Sequence, residues 1–177
     1  RPRTTAGTYV ATPLPVGFDT ASTKPWAMTA PNQFRPAPPP KLDSDTWVRD
    51  FNEVKTLGAR NSTVRTPEQT ATALFWASNG PAQFMESVPD LPFSGTPASR
   101  ARLLALFYLA ITDASIAVFD AKNAYEFWRP ITAIRNADED GNPATDRDPG
   151  WTPLIDTPLH QEYPCAHCAV TAAIVTA

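Results

Sequence analysis

The chain has no surplus of positive charge: 15 Lys and Arg stand against 18 Asp and Glu, a net charge of −3 at pH 7. A general nucleic-acid binder is excluded, because nothing is left over to neutralise a phosphate backbone. Any anion must be held by a local site. Cysteine is nearly missing; Cys165 and Cys168 alone cannot make a disulfide framework. Histidine is equally scarce, with only His160 and His167. No uninterrupted apolar run approaches the roughly 20 residues of a membrane helix, so no membrane span is expected. Arg1-Pro2-Arg3-Thr4-Thr5 lacks the apolar core of a signal peptide, so an exported form would already have lost its signal. Strict apolar–polar alternation of useful length is absent too, which removes a sheet as the organising element. No internal repeat is visible. What remains is 177 residues, 42% of them hydrophobic, with 20 prolines against seven glycines. That composition predicts one all-α domain with a packed core, and not a disordered chain.

The prolines are unevenly spread. Residues 1–41 hold Pro2, Pro13, Pro15, Pro25, Pro31, Pro36, Pro38, Pro39 and Pro40. Each lacks a donor and restricts its predecessor, so little of this stretch can be helical. Yet it carries Tyr9, Phe18, Trp26, Met28 and Phe34, and a free linker is usually poor in aromatics. The expectation is an extended arm over 1–41 lying on a helical body over 42–177; a mobile proline-rich tail is the plainer alternative.

From Ser44 the pattern turns helical. Trp47, Phe51, Val54 and Leu57 share a face, with Asp43 or Ser44 as cap and Gly58 as stop. Thr66-Pro67-Glu68-Gln69 opens a second helix running to Ser78 and stopped by Asn79-Gly80-Pro81. A weak helix or loop covers 82–93. The longest helix starts near Pro97-Ala98-Ser99 and is apolar around most of its circumference, as the middle helix of a bundle would be. Asp113 and Asp120 interrupt it; they either pair with cations such as Arg129 or cap polar gaps. A last helix begins near Cys165 and is still running at Ala177, from which a fragment or one half of a processed protein is expected.

Two segments carry chemistry. In Lys122-Asn123-Ala124-Tyr125-Glu126-Phe127-Trp128-Arg129-Pro130 the two cations are seven apart. Along a helix that is about 10 Å, from which long side chains can converge on one small anion. Arg offers a planar fork and Lys a point charge. Pro130 disfavours helical geometry at Arg129 and would turn it off the helix line. The bland possibility is a pair of solvated cations beside Glu126. In His160-Gln161-Glu162-Tyr163-Pro164-Cys165-Ala166-His167-Cys168, small residues and an imidazole follow a proline at a helix start. Such a terminus offers free N–H groups and a positive dipole end. His167 suits acid–base work, or merely satisfies local hydrogen bonds.

Lys-x6-Arg-Pro followed by Pro164-Cys165-Ala166-His167 resembles the motif pair of the vanadium-dependent haloperoxidases and the type-2 phosphatidic acid phosphatase (acid phosphatase) superfamily, where the second motif reads Pro-Ser-Gly-His. Phe127 to Arg135, Thr157 to Pro164, Trp26-Ala27-Met28 and Gln33-Phe34-Arg35-Pro36 look like soluble bacterial haloperoxidase-related proteins, so the resemblance touches most of the chain. It implies a helical bundle of that type, truncated at its C-terminus. It implies vanadate, with phosphate as surrogate, bound by Lys122, Arg129 and backbone N–H groups near Cys165 and Ala166, and His167 as the acid–base residue. In a haloperoxidase, vanadate activates hydrogen peroxide to oxidise halide; in an acid phosphatase the pocket holds the phosphoryl group of a phosphomonoester. A non-catalytic phosphate or vanadate binder would keep the same scaffold. Export to a periplasm or medium also follows from the resemblance.

Two departures stand out. Cys-Ala replaces Ser-Gly, removing a hydroxyl donor and adding an oxidisable thiol. The third family motif, Ser-Arg-x5-His-x3-Asp, is absent: either the segment with its Arg and His lies on another polypeptide, or it was lost, or the protein is a non-catalytic relative; the first two are favoured, and this chain alone is expected to be inactive. Rival motifs are weaker. Cys165-x-x-Cys168 lacks the strand context of a thioredoxin-like site, and with His160 and His167 the four side chains cannot easily face one zinc ion. Haem attachment would need His where Ala169 stands. Asp138-x-Asp140-x-Asn142 opens like a calcium loop, but Pro143 occupies the place of the sharp-turn glycine, and an acidic surface loop is expected instead. Asn61-Ser62-Thr63 is a sequon only in a secreted eukaryotic chain.

Overall fold

A computed structural model describes residues 5–10, 16–78, 85–90 and 92–176. Pro2, Pro13, Pro15, the expected stop at Asn79-Gly80-Pro81, part of the 82–93 segment and Ala177 lie outside the described residues. The chain is all-α: α1 is Asp45–Leu57, α2 Pro67–Ser78, α3 Pro97–Tyr125, α4 Pro130–Arg135 and α5 Ala166–Thr176. Short 3-10 turns add Asp19–Ser22, Val88–Asp90 and Ala137–Glu139. Among the described residues the extended pairing consists of the isolated bridges Thr8 to Phe127 and Ala59 to Pro153.

The helices start where the sequence predicts, because their caps are local. Ser44 Oγ accepts the Trp47 amide at 3.2 Å, and Gly58 closes α1 by donating to Val54 O at 2.8 Å. Thr66 and Gln69 satisfy each other's amides at 3.2 and 2.9 Å, a reciprocal cap with Pro67 at the first helical position. Thr96 Oγ accepts the Ser99 amide at 3.1 Å at the start of α3.

The chain forms two compact units. The first comprises Arg1–Val16, Ala37–Leu74 and Lys122–Tyr163. Its core is aromatic. Trp47 and Phe51, one turn apart on α1, are buried with Trp128, Ala133, Ile134, Ala137 and Trp151. The Trp47 and Trp128 rings stack at 5.9 Å, and Phe127 meets Trp47 edge-on at 5.8 Å. Trp47 Nε1 donates to Asp140 Oδ2 at 3.1 Å and Trp151 Nε1 to Lys55 O at 2.9 Å, so these rings bury apolar faces without orphaning their N–H groups. Trp128 is a core residue. Asp140, from the calcium-like loop, is engaged locally: it accepts the Asn142 amide and the Thr145 hydroxyl, each at 2.8 Å.

The second unit comprises Gly17–Pro36, Phe75–Ala121 and Pro164–Ala177. Phe107 and Ile111 of α3 pack with Val170 of α5, flanked by Met85, Val88, Ala173 and Ile174. Asp113 is buried and accepts the amides of Trp26, Ala27 and Met28 at 2.8, 2.7 and 2.9 Å. Arg35 forks onto Asp120 at 2.9 and 3.0 Å. Arg129 is therefore not the partner of either aspartate; residues 26–35 are. Trp26 and Phe34 themselves are exposed, so this segment is fastened through its backbone and Arg35. Gly17 has φ +76°, and a side chain there would overlap the Phe119 ring. By length and composition α3 is apolar enough to cross a membrane, although the sequence predicts no span from uninterrupted runs. The central helix of a bundle meets the same criterion, and both of its aspartates are engaged within the unit.

Candidate functional site

In the first unit, Lys122 occupies the last turn of α3, which ends at Tyr125. Glu126 takes φ 45°, a left-handed value that stops the helix, as glycine more often does. The chain then runs extended: Tyr9 N donates to Glu126 O at 2.6 Å, Trp128 N to Gly7 O at 3.1 Å and Glu162 N to Phe127 O at 3.0 Å. Arg129 caps α4 with φ −78° and ψ 153°, the extended geometry that a following proline imposes. The two cations are thus not on one helix, which corrects the rise-per-residue argument.

They converge by another route, on the loop 158–162. Lys122 is 1% exposed, and its Nζ donates to Gln161 O at 2.6 Å and Glu162 O at 2.9 Å. Arg129 is 8% exposed; Nε and Nη2 reach Pro158 O at 3.3 and 3.2 Å, and Nη1 pairs with the Glu162 carboxylate. Gln161 is buried and holds the loop by donating to Asn123 Oδ1 at 3.1 Å. His160 Nδ1 lies 2.9 Å from Gln161 O, which assigns it the proton, and 3.4 Å from Arg129 Nη2. Burial first, then the positive charges of Arg129 and Lys122, hold His160 below its ordinary pKa against the opposing pull of the Gln161 carbonyl and Glu162. The Glu162 carboxylate is the acid paired with Arg129. A cavity of about 250 Å³ opens beside Arg129, Pro158 and Glu162, with Arg65 and Trp151 on its wall. An ammonium and a guanidinium form a donor set that fits an oxyanion.

The remaining expected residues belong to the second unit. Cys165 caps α5: its carbonyl accepts the Ala169 amide and its Sγ the Cys168 amide, both at 3.2 Å. Cys165, His167 and Cys168 are exposed, and Ala166 is partly buried. The hydrogen bond to Cys165, then burial, then the neighbouring thiol's charge raise the Cys168 pKa. Among the described residues no group of three or more His, Cys, Asp or Glu gathers to hold a metal ion. The structure thus brings Lys122 and Arg129 together on one loop, and sets Cys165 just before α5 and Ala166 and His167 on its first turn. Sequence reasoning gave no role to Glu162 or to the Pro158 carbonyl. Glu162, two residues before the Pro-x-x-His segment, was the available signal.

Comparisons with known proteins bear on the fold and the family. A family profile described as VCPO second helical-bundle domain matches residues 102–177. The vanadium chloroperoxidase of Curvularia inaequalis is 34% identical over 144 residues, covering 66% of this chain and 23% of that protein. A crystal structure titled as the first bacterial vanadium-dependent iodoperoxidase has the same fold at TM-score 0.71 and 21% identity, covering 96% of this chain and 43% of that one. The chain thus spans less than half the length of either protein. The fold is a helical bundle of the haloperoxidase type. The sequence matches relate the chain to the vanadium haloperoxidases.

Proposed function

We propose that this chain is part of a vanadate-dependent haloperoxidase that oxidises halide with hydrogen peroxide, active together with a further segment or partner chain that supplies the missing Arg and His. The observation that carries the proposal is the burial of Lys122 and Arg129 on one loop, each donating to its carbonyls. Desolvating two cations costs several kcal/mol each, and their partners here are loop carbonyls and one half-exposed carboxylate, for which an oxyanion can compete. Lys122 and Arg129 would hold the oxyanion, which would compete with Glu162 for the guanidinium. Backbone N–H groups at Cys165 and Ala166 add donors, and His167 holds or delivers a proton. Bound vanadate would supply the activation of peroxide towards halide. Export to a periplasm or medium belongs to the same proposal.

The test is bromination of a dye by the complete protein with vanadate, peroxide and bromide. Vanadate-dependent bromination supports the proposal; none, with vanadate demonstrably bound, overturns it. Phosphate release from an aryl phosphate in its place moves the site to the acid-phosphatase reading. Lys122→Ala or Arg129→Ala should weaken vanadate binding in equilibrium dialysis by about 1.5–3 kcal/mol, the range for a charged hydrogen bond. His167→Ala should lower turnover by roughly 10²–10⁴ while sparing binding more. Unchanged values remove the residue from the site.

A further inference from the structure

We propose that Cys165 and Cys168 form an oxidant-sensing dithiol that closes into an intramolecular disulfide, with hydrogen peroxide as the oxidant. Three observations carry this. The thiols are the only two in the chain, and both are exposed, so a peroxide-sized oxidant reaches them without unfolding. They are already linked: Cys165 Sγ accepts the Cys168 amide at 3.2 Å. They also straddle the start of α5, with Cys165 just outside the helix and Cys168 in its first turn. Cβ atoms three apart on a helix lie about 5–6 Å from each other. A disulfide needs roughly 3.5–4.5 Å. The difference is an adjustment that a single terminal turn can absorb, whereas the same spacing in mid-helix would break backbone hydrogen bonds.

The residues take unequal parts. Cys165 stands just outside α5, with no helical hydrogen bond to lose at its own amide, and so is the freer of the two to move. Cys168, whose pKa is raised, keeps its proton. Cys165 sulfur attacks one peroxide oxygen; the O–O bond breaks, the other oxygen leaves as water after taking the thiol proton, and Cys165 becomes a sulfenic acid. Cys168 sulfur then attacks Cys165 sulfur; the S–O bond breaks, and a second water leaves with the Cys168 proton. Two thiols are oxidised, one peroxide is reduced to two waters, and one S–S bond is formed. An exposed pair of this kind falls in the labile, reversible class of disulfides. The inference stands on the dithiol geometry and does not depend on vanadate binding.

The experiment treats the fully reduced chain with one equivalent of hydrogen peroxide, blocks remaining thiols with N-ethylmaleimide, and reads intact mass and a peptide map. The expected result is loss of both reactive thiols, a mass lower by two hydrogens, a Cys165–Cys168 linkage and recovery with dithiothreitol. Cys168→Ser should instead trap a sulfenic acid at Cys165 that dimedone labels. Reduced wild-type protein should also bind phenylarsine oxide one to one, and Cys168→Ser should not. Retention of both thiols, oxygen added without a linkage, or a linkage between two chains would each overturn the proposal, and each is read on wild-type protein even if a variant fails to fold.

Discussion

The first unit is closed by aromatic rings and its buried charges are cations; the second is closed by aliphatic side chains and its buried charge is an acid. The way each charge is satisfied differs as well. Asp113 is met by three backbone amides of consecutive residues, a fixed cradle that fastens residues 26–28 to α3. Lys122 and Arg129 are met by carbonyls and one half-exposed carboxylate of a loop, partners for which an incoming oxyanion can compete. Burial of a charge therefore does not by itself mark a functional site. An acid locked by main-chain donors is an anchor; two cations held by loop carbonyls are donors that the proposed oxyanion could claim.

The sharpest way to break that comparison is to empty the aromatic core. Trp128 is 1% exposed and stacks on Trp47. Trp128→Ala should cost about 3–5 kcal/mol, the range for deleting a large buried ring. The shift of the urea midpoint by circular dichroism measures it. A cost below about 1 kcal/mol would mean that the ring stack does not hold the first unit together.

A smaller effect tests the anchor. Burial is the largest single influence on Asp113 and pushes its carboxyl up, but the three amides together outweigh it and hold the group below the ordinary carboxylate range. The folded pKa therefore lies under the unfolded one. The stabilisation is fully present above the unfolded value and is lost as pH falls through the folded value. Asp113→Asn keeps the shape but turns one acceptor into a donor facing N–H groups. It should cost about 1–3 kcal/mol at neutral pH and less in acid, seen by comparing thermal midpoints of the two proteins across pH. An equal difference at every pH would show that the charge is not what the amides recognise.

What was legible in the sequence follows the range of each interaction. Ser44, Thr66 and Thr96 cap helices through partners three residues away, and the predicted starts of α1, α2 and α3 stand. Lys122 and Arg129 were legible as a pair through the family motif, and Pro130 told correctly that Arg129 leaves the helix line. Their route to each other was not. Glu126 carries none of the usual left-handed signals, yet it ends α3, and the loop that gathers the cations lies 29 to 40 residues further along the chain. The partners of Asp113 are 85 to 87 residues away, beyond any spacing argument. The apolar circumference of α3 was legible; which residues it buries depends on tertiary neighbours.

The smallest expected effect tests that last distinction. Phe107 and Ile111 are 5% and 3% exposed, whereas Leu106, their neighbour on α3, is 48% exposed and Leu103 39%. A half-exposed leucine gives up little burial when it is replaced, and Gln matches its length and helix propensity. Leu106→Gln should therefore change the stability of this chain by no more than about 0.5 kcal/mol, as surface substitutions do, while Ile111→Ala should cost roughly 2–5 kcal/mol. Urea midpoints of the two variants side by side decide it. A large loss in Leu106→Gln would mean that the side chain is covered in solution, and that the second unit, like the first, buries its apolar surface.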